Sequence, residues 1–166
     1  LITSNIILGE EVFIDSSSKV NNATIGARCK IAAQVNLFGS PKHPLILGEG
    51  CYIGPYCLLE GFNGLVEIGN NVSFAQRITL ISGSAPNASY KLQRIFPLDT
   101  GPIKIGDHNW IGAHCVIMPN VTLGEFCIVA ANSFVNQSFP AYSIIGGSPA
   151  KLIRSLSIEE IKKLHD

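Results

Sequence analysis

The sequence predicts an all-β solenoid of about six triangular coils, interrupted by one long loop and followed by a short C-terminal helix. Aliphatic residues recur every six positions, most regularly at Ile105, Ile111, Ile117, Leu123, Val129 and Val135. Gly106, Gly112, Gly124 and Ala130 follow four of these anchors. Neither a helix nor an alternating strand has that period. A small unit stacked many times does.

The same frame runs through the rest of the chain. Leu8, Ile14 and Val20 form one group of three, followed by Ile25, Ile31 and Leu37, then Leu47, Ile53 and Leu59, then Ile68, Phe74 and Leu80. Four residues after the anchors stand compact side chains: Cys29, Val35, Cys51, Cys57, Val72, Ile78, Asn109, Cys115, Val121, Cys127 and Ser133. An inward anchor, a permissive Gly or Ala at the bend that follows, and a second inward residue describe a short flat strand ending in a tight turn. Three such strands close one coil, and coils stack at a strand spacing of roughly 4.8 Å.

Three segments break the rhythm: residues 38–46, 60–67 and, longest, 81–104. Insertions in a solenoid leave the stack as loops on one face, often the binding face. The longest carries the turn formers Gly83, Pro86, Asn87, Pro97 and Gly101, together with Tyr90, Lys91, Arg94 and Phe96. Aromatic and basic groups in alternation suit stacking on a sugar ring or covering a long cofactor arm. A solvated lid fits the same composition. After Val135 the repeat fades. Ser157 with Glu160 three residues later is a capping-box start, so 158–165 reads as a helix capping the stack. The repeat domain is therefore 1–154, with 81–104 inserted, and the capping segment is 155–166.

Composition narrows the function. The 166 residues contain 12 basic and 12 acidic side chains and 46% hydrophobic residues, enough for one core and too balanced for a nucleic-acid or anionic-membrane footprint. No apolar run of about 18 residues calls for a spanning helix, and the start at Leu1, with no Met, lacks a signal-peptide layout while leaving room for residues upstream. All five cysteines fall in the compact register, which marks them as core packing. Their odd number fits a reducing cytoplasm.

The segment IKIGDHNWIGAHCVIMPNVTLGEFCIVAANSF at 103–134, with GGSPAKLIR at 146–154, resembles the hexapeptide-repeat acyltransferases. Within that family it is most similar to the galactoside, maltose, xenobiotic and polysaccharide O-acetyltransferases. The resemblance covers about residues 7–154. It implies a left-handed parallel β-helix, a homotrimer, and direct transfer of acetyl from acetyl-CoA, bound between neighbouring solenoids, to a hydroxyl of a small-molecule or glycan acceptor, with no metal required.

Carried over residue by residue, the resemblance places Trp110 and Ala113 beside the pantetheine arm and Ala75, in IGNNVSFA, at the same groove. Ala131, in VAANS, matches an alanine whose backbone meets the cofactor, and Asn136 and Gln137 match a Thr-Lys pair near the nucleotide. Lys151 and Arg154 match basic residues near the CoA phosphates, where a cationic donor has a clear electrostatic task. An ordinary solvated terminus would also carry such residues.

Acyl transfer to an alcohol needs a base for the hydroxyl proton and donors for the oxyanion. The resembling enzymes use a histidine in the long loop, and counting from IGNNVSFA through SGSAPN puts its position at Ala85. Alanine moves no proton. An engineered replacement that traps substrate, a natural member using another base and a non-catalytic descendant all fit, the first being favoured. Of the histidines present, His114 in WIGAH follows the pantetheine position and is the secondary catalytic candidate, although a packing role suits it as well. Asn87 and Tyr90 are the acceptor-side candidates.

Two other acceptor or function classes stay open: a sugar N-acetyltransferase and a non-catalytic hexapeptide-repeat scaffold. A zinc enzyme on this fold is disfavoured, because His108 and His114 lie six apart and so point to different sides of the prism.

Overall fold

The computed structural model describes residues 4–166 as a three-faced stack of parallel strands. The first face orders strands Ile6–Leu8, Ala23–Ile25, Leu45–Leu47, Val66–Ile68, Ile103–Ile105 and Thr122–Leu123. The second orders Phe13–Ile14, Lys30–Ile31, Tyr52–Ile53, Ser73–Phe74, Trp110–Ile111 and Ile128–Val129. The third orders Lys19–Asn21, Asn36–Phe38, Leu58–Glu60, Thr79–Ile81, Val116–Ile117 and Phe134–Val135. Each coil contributes one strand to each face, which gives six coils. These are the six groups of anchors.

Register follows from the anchors. Ile25 pairs with Leu47, Ile31 with Ile53, and Leu37 with Leu59, so like residues ladder up the interior. Ile31, Leu37, Ile53, Leu59, Phe74, Leu80, Ile111 and Ile117 are fully buried. Burial of one such side chain stabilises by about 1.5–3 kcal/mol, and the ladder repeats that gain in every coil. Among the described residues the first coil has a neighbour on one side alone, and Ile7, Leu8 and Phe13 are exposed.

The bends differ from the expectation in a way that sharpens it. Glycine after the anchor serves close stacking, not the turn: a Cβ at Gly26 would lie 2.6 Å from Gly48 C, and one at Gly106 would lie 2.7 Å from Glu125 N. The turn is made two residues further on. Arg28, Gln34, Tyr56, Asn71, Arg77, His108, His114, Asn120, Phe126 and Asn132 all hold the left-handed conformation, with φ between 54° and 65°.

The compact register also has a second task. Cys29 Sγ donates to Gly48 O at 3.0 Å, Cys51 Sγ to Gly69 O at 3.1 Å, Cys57 Sγ to Ala75 O at 3.0 Å and Cys115 Sγ to Ala130 O at 3.1 Å. Each thiol thus meets the carbonyl beside the anchor of the next coil. Burial pushes the Cys57 thiol up to about 11 and raises those of Cys115 and Cys127 as well, which keeps them protonated donors. All five cysteines are free and buried.

Past the sixth coil, Ser143–Gly147 adds to the second face beside Ile128–Val129 and turns back antiparallel through Ala150–Ser155. Two short helices complete the fold, α1 (Tyr90–Gln93) in the long insertion and α2 (Ile158–His165) at the C-terminus. The capping box of α2 is formed: Ser157 Oγ accepts from Glu160 N at 3.2 Å, and Ser157 N donates to Glu160 Oε2 at 2.7 Å. His165 meets Phe126 edge-on at 5.6 Å, at the top of a stack in which Phe126 lies between His108 and Tyr142. Among the described residues no helix is long and apolar enough to cross a membrane.

Candidate functional site

All three insertions leave the stack at the corner between the third and first faces. The longest is ordered there. Its stems pair as a short antiparallel ladder, Gly83 opposite Thr100 and Ser84 opposite Asp99. Between the stems, Ser89 caps α1 by accepting from Leu92 N at 3.3 Å.

The base of this hairpin is pinned to the coil below. Ser82 N donates to Glu60 O at 3.0 Å, and Gly101 N donates to Ser82 O at 3.1 Å. The Glu60 side chain, only 9% exposed, accepts from Phe62 N at 2.5 Å and from Ser82 Oγ at 3.4 Å. Ser82 Oγ in turn accepts from Asn63 N at 3.0 Å, and Thr100 Oγ1 donates to Asn63 O at 2.8 Å. The first stem is therefore tied to the shorter 61–65 loop through the Ser82 hydroxyl and the nearly buried Glu60 carboxylate, and the second directly through Thr100.

Under the hairpin lies an open cleft of about 700 Å³, lined by Ser84, Ala85, Pro86, Ile95, Phe96, Pro97, Leu98, Asp99 and Met118. Ala85, the position matched to the missing base, is on its wall. Met118 projects from the next coil, after strand Val116–Ile117. Asp99 is the one ionisable side chain among the lining residues, and Ser84 brings the one hydroxyl. Asn87 and Tyr90 are not among them: Asn87 is exposed, and Tyr90 stands 82% exposed on α1.

Four of the proposed cofactor residues, Ala75, Trp110, Ala113 and Ala131, gather at a different corner, between the second and third faces. Trp110, 58% exposed, lies in register with Ser73 below and Ile128 above. Beyond the strand ends stand the small side chains of Ala75, Ala113 and Ala131, and Asn132 N donates to Ala113 O at 2.9 Å. His114 is exposed at this same corner in a left-handed turn, so within one chain it stands apart from the Ala85 cleft. His108 occupies the preceding corner, stacked on Phe126 with ring centroids 4.6 Å apart.

At the C-terminal end Gln137 Nε2 donates to Ala150 O at 3.1 Å, while Asn136 and Lys151 are exposed. Arg154 is already engaged, in a bidentate pair with Glu160 at 2.7 and 2.9 Å. Sequence reasoning missed that pairing, and it missed Asp99 and Met118 as cleft residues. The signal for Asp99 lay in the antiparallel return of a hairpin, which turn residues alone do not register.

Comparison with known proteins agrees with this architecture. The bacterial transferase hexapeptide (six repeats) family matches residues 102–137. The galactoside O-acetyltransferase of Escherichia coli is 35% identical over 92 residues, 55% of this chain and 45% of that protein. The chain thus spans under half the length of this relative. Among solved structures, the N-acyltransferase AntD of Bacillus cereus, in complex with dTDP and 3-hydroxybutyryl-CoA, superposes with a TM-score of 0.81 at 22% identity, covering 97% of this chain and 88% of that one. A maltose O-acetyltransferase of Clostridium difficile gives a TM-score of 0.60 at 20% identity, over 91% of this chain and 70% of its own. At these identities the structural likeness is one of fold.

Proposed function

The chain belongs to the hexapeptide-repeat acyltransferase family, and from that premise we propose that it transfers an acetyl group from acetyl-CoA to an amino group on a sugar. The observation that carries the choice of nitrogen is Ala85: the cleft wall has no imidazole where the resembling O-acetyltransferases place their base. A hydroxyl is a weak nucleophile until a base takes its proton, and losing that base costs roughly 10² to 10⁴ in rate. A neutral amine attacks a thioester with its own lone pair. AntD, which shares the fold, is named as an N-acyltransferase.

Transfer to a hydroxyl is the second reading. It is favoured by the sequence identity shared with the galactoside O-acetyltransferase. It requires a base other than the residue at 85.

Acetyl-CoA binding is assigned to the corner groove. In this proposal Trp110 flanks the pantetheine arm, and Ala75, Ala113 and Ala131 keep the track shallow enough for it. Asn136 and Gln137 approach the nucleotide, and Lys151 meets a phosphate. Groove and cleft lie at different corners of one prism, so a homotrimer would bring the groove of one copy against the cleft of the next. Calorimetric titration with acetyl-CoA tests the assignment. Saturable binding near one site per chain is expected, and no detectable binding would point to a non-catalytic scaffold.

A further inference from the structure

We propose that Cys29 and Cys51 form a dithiol site that a small peroxide converts to a reversible disulfide, stapling the second coil to the third. The pair stands at the corner between the first and second faces. Neither residue belongs to the cleft or to the groove assigned to acetyl-CoA.

The register of the stack brings the two thiols together. Lys30 pairs with Tyr52, and Lys30 N donates to Cys51 O at 2.8 Å, so the residues just before them, Cys29 and Cys51, hold equivalent places in adjacent coils. Adjacent coils lie about 4.8 Å apart, inside the roughly 4.4–6.8 Å between Cα atoms that a disulfide spans. Both side chains point into the core, each 1% exposed, and Cys29 Sγ lies 3.4 Å from Cys51 N. Among the described residues no other cysteine has a thiol as its neighbour in the next coil. The same register sets Cys57 between Val35 and Ile78, Cys115 between Ile78 and Ser133, and Cys127 between Asn109 and Ser143. Val12 closes the pair from below and Val72 from above.

The two thiols differ in character. Cys29 is drawn below the ordinary thiol range, first by the Cys51 thiol beside it and against the effect of burial, whereas Cys51 is pushed above that range. Cys29 is therefore the attacking sulfur and Cys51 the resolving one. Access comes from the end of the stack: Val12 belongs to the first coil and is only partly buried, and an end coil has one interface to hold it where an inner coil has two. Local opening of that coil uncovers Cys29 to an oxidant as small as a peroxide. The thiolate sulfur attacks one peroxide oxygen, the O–O bond breaks, and the departing hydroxide takes the proton that Cys29 gave up and leaves as water. The Cys51 sulfur then attacks the Cys29 sulfur, the S–O bond breaks with its electron pair on oxygen, and the Cys51 proton completes a second water. Both sulfurs are oxidised, and both peroxide oxygens are reduced.

The test uses the full chain and hydrogen peroxide. The folded protein is treated, the remaining thiols are alkylated with iodoacetamide in urea, and the unreduced digest is read by mass spectrometry. The expected result is loss of two of the five free thiols, with one linked pair of peptides, that of Cys29 joined to that of Cys51, and with Cys57, Cys115 and Cys127 alkylated. Dithiothreitol should return all five. Dimedone should trap a sulfenic acid at Cys29 in Cys51→Ala and none at Cys51 in Cys29→Ala. The oxidised chain should also unfold at higher urea than the reduced one, because the link removes freedom from the unfolded state. Peroxide that leaves all five thiols free in the folded chain, or that oxidises them without preference for this pair, overturns the proposal. So does a product that dithiothreitol does not reverse, or a urea midpoint that fails to rise. The linkage is read in the unmutated protein, so misfolding of a variant does not decide it.

Discussion

Arg154 and Glu160 face each other fork to fork, Nη1 to Oε2 at 2.7 Å and Nη2 to Oε1 at 2.9 Å, and the same carboxylate also accepts from Ser157 N at 2.7 Å. The guanidinium, then the Ser157 N–H, hold the Glu160 carboxyl at about 2, below its ordinary 4.5. A depressed carboxylate stabilises the folded form above its ordinary value and loses that contribution as pH falls toward the folded one. Helix α2 should therefore keep its NMR chemical shifts from pH 7 to about 4.5 and fray progressively between there and about 2. Glu160→Gln should be frayed already at pH 7. Identical α2 shifts in the two proteins at pH 7 would remove the pair from the account of how the helix is held.

The same pairing separates two cations that sequence resemblance treats alike. Arg154 has its charge met by Glu160, whereas Lys151 is exposed and carries no ion pair among the described residues. If the CoA phosphates lie at this terminus, Lys151→Ala should weaken acetyl-CoA binding by about tenfold or more, the scale of one charge-assisted hydrogen bond. Arg154→Ala should weaken it less. Calorimetric Kd values for the two variants decide the order, and a larger loss at Arg154 would show that the phosphate displaces Glu160.

Glycine should have opposite consequences at two positions of the repeat. Gly106→Ala drives a Cβ to 2.7 Å from Glu125 N, against backbone that has nowhere to go, and should destabilise by about 1–3 kcal/mol. Gln34→Gly relieves a left-handed residue at φ 59° and should be neutral to stabilising by about 1 kcal/mol, the unfolded chain's added freedom offsetting part of the relief. Urea midpoints of both variants, read at unchanged m, report the signs.

Asn109, 1% exposed, is with Ser133 one of two buried polar members of the compact register. Its Nδ2 donates to Gly106 O and Gly124 O, each at 2.8 Å, and its Oδ1 accepts from Cys127 N at 2.5 Å. Asn109→Val removes the amide and strands three backbone groups, a loss of at least about 3 kcal/mol at roughly 1–3 kcal/mol for each. Cys115→Val should cost far less, because Ser133 Oγ still donates to the Ala130 carbonyl that the thiol would leave, at 2.6 Å. Equal costs in denaturant melts would contradict the hydrogen-bond account of this register.

Much of this fold was legible because a solenoid writes its core directly into the chain: each anchor from Ile25 to Val135 is an interior residue of one strand, and the capping box of α2 formed as read. The turn logic was hidden. Left-handed residues three after the anchors include Arg, Gln, Tyr, His, Phe and Asn, with no shared chemistry to mark them, since stacking of the coils imposes the conformation. The site was legible in outline alone. The long break and Ala85 could be counted off, but Asp99 reaches the cleft through pairing with Ser84, and Met118 through stacking one coil higher. Neither relation has a sequence period. Asn87 and Tyr90 drew notice as polar and aromatic residues, yet α1 holds Tyr90 on its solvent side.

Ala85→His turns the choice between nitrogen and oxygen acceptors into a measurement. Position 85 lies on the cleft wall, where the resembling O-acetyltransferases carry their base. For a hydroxyl acceptor it should raise kcat/KM by about two orders of magnitude or more, the lower part of the range for general-base catalysis. For an amine acceptor the gain should be small, because a neutral amine attacks with its own lone pair. Added bulk would raise KM in the apolar cleft. The two rates are compared in the same protein with matched acceptors. A large gain for the hydroxyl acceptor with little change for the amine fits a site built for nitrogen. No gain for either, with acetyl-CoA and acceptor both bound, would remove residue 85 from the proton path altogether.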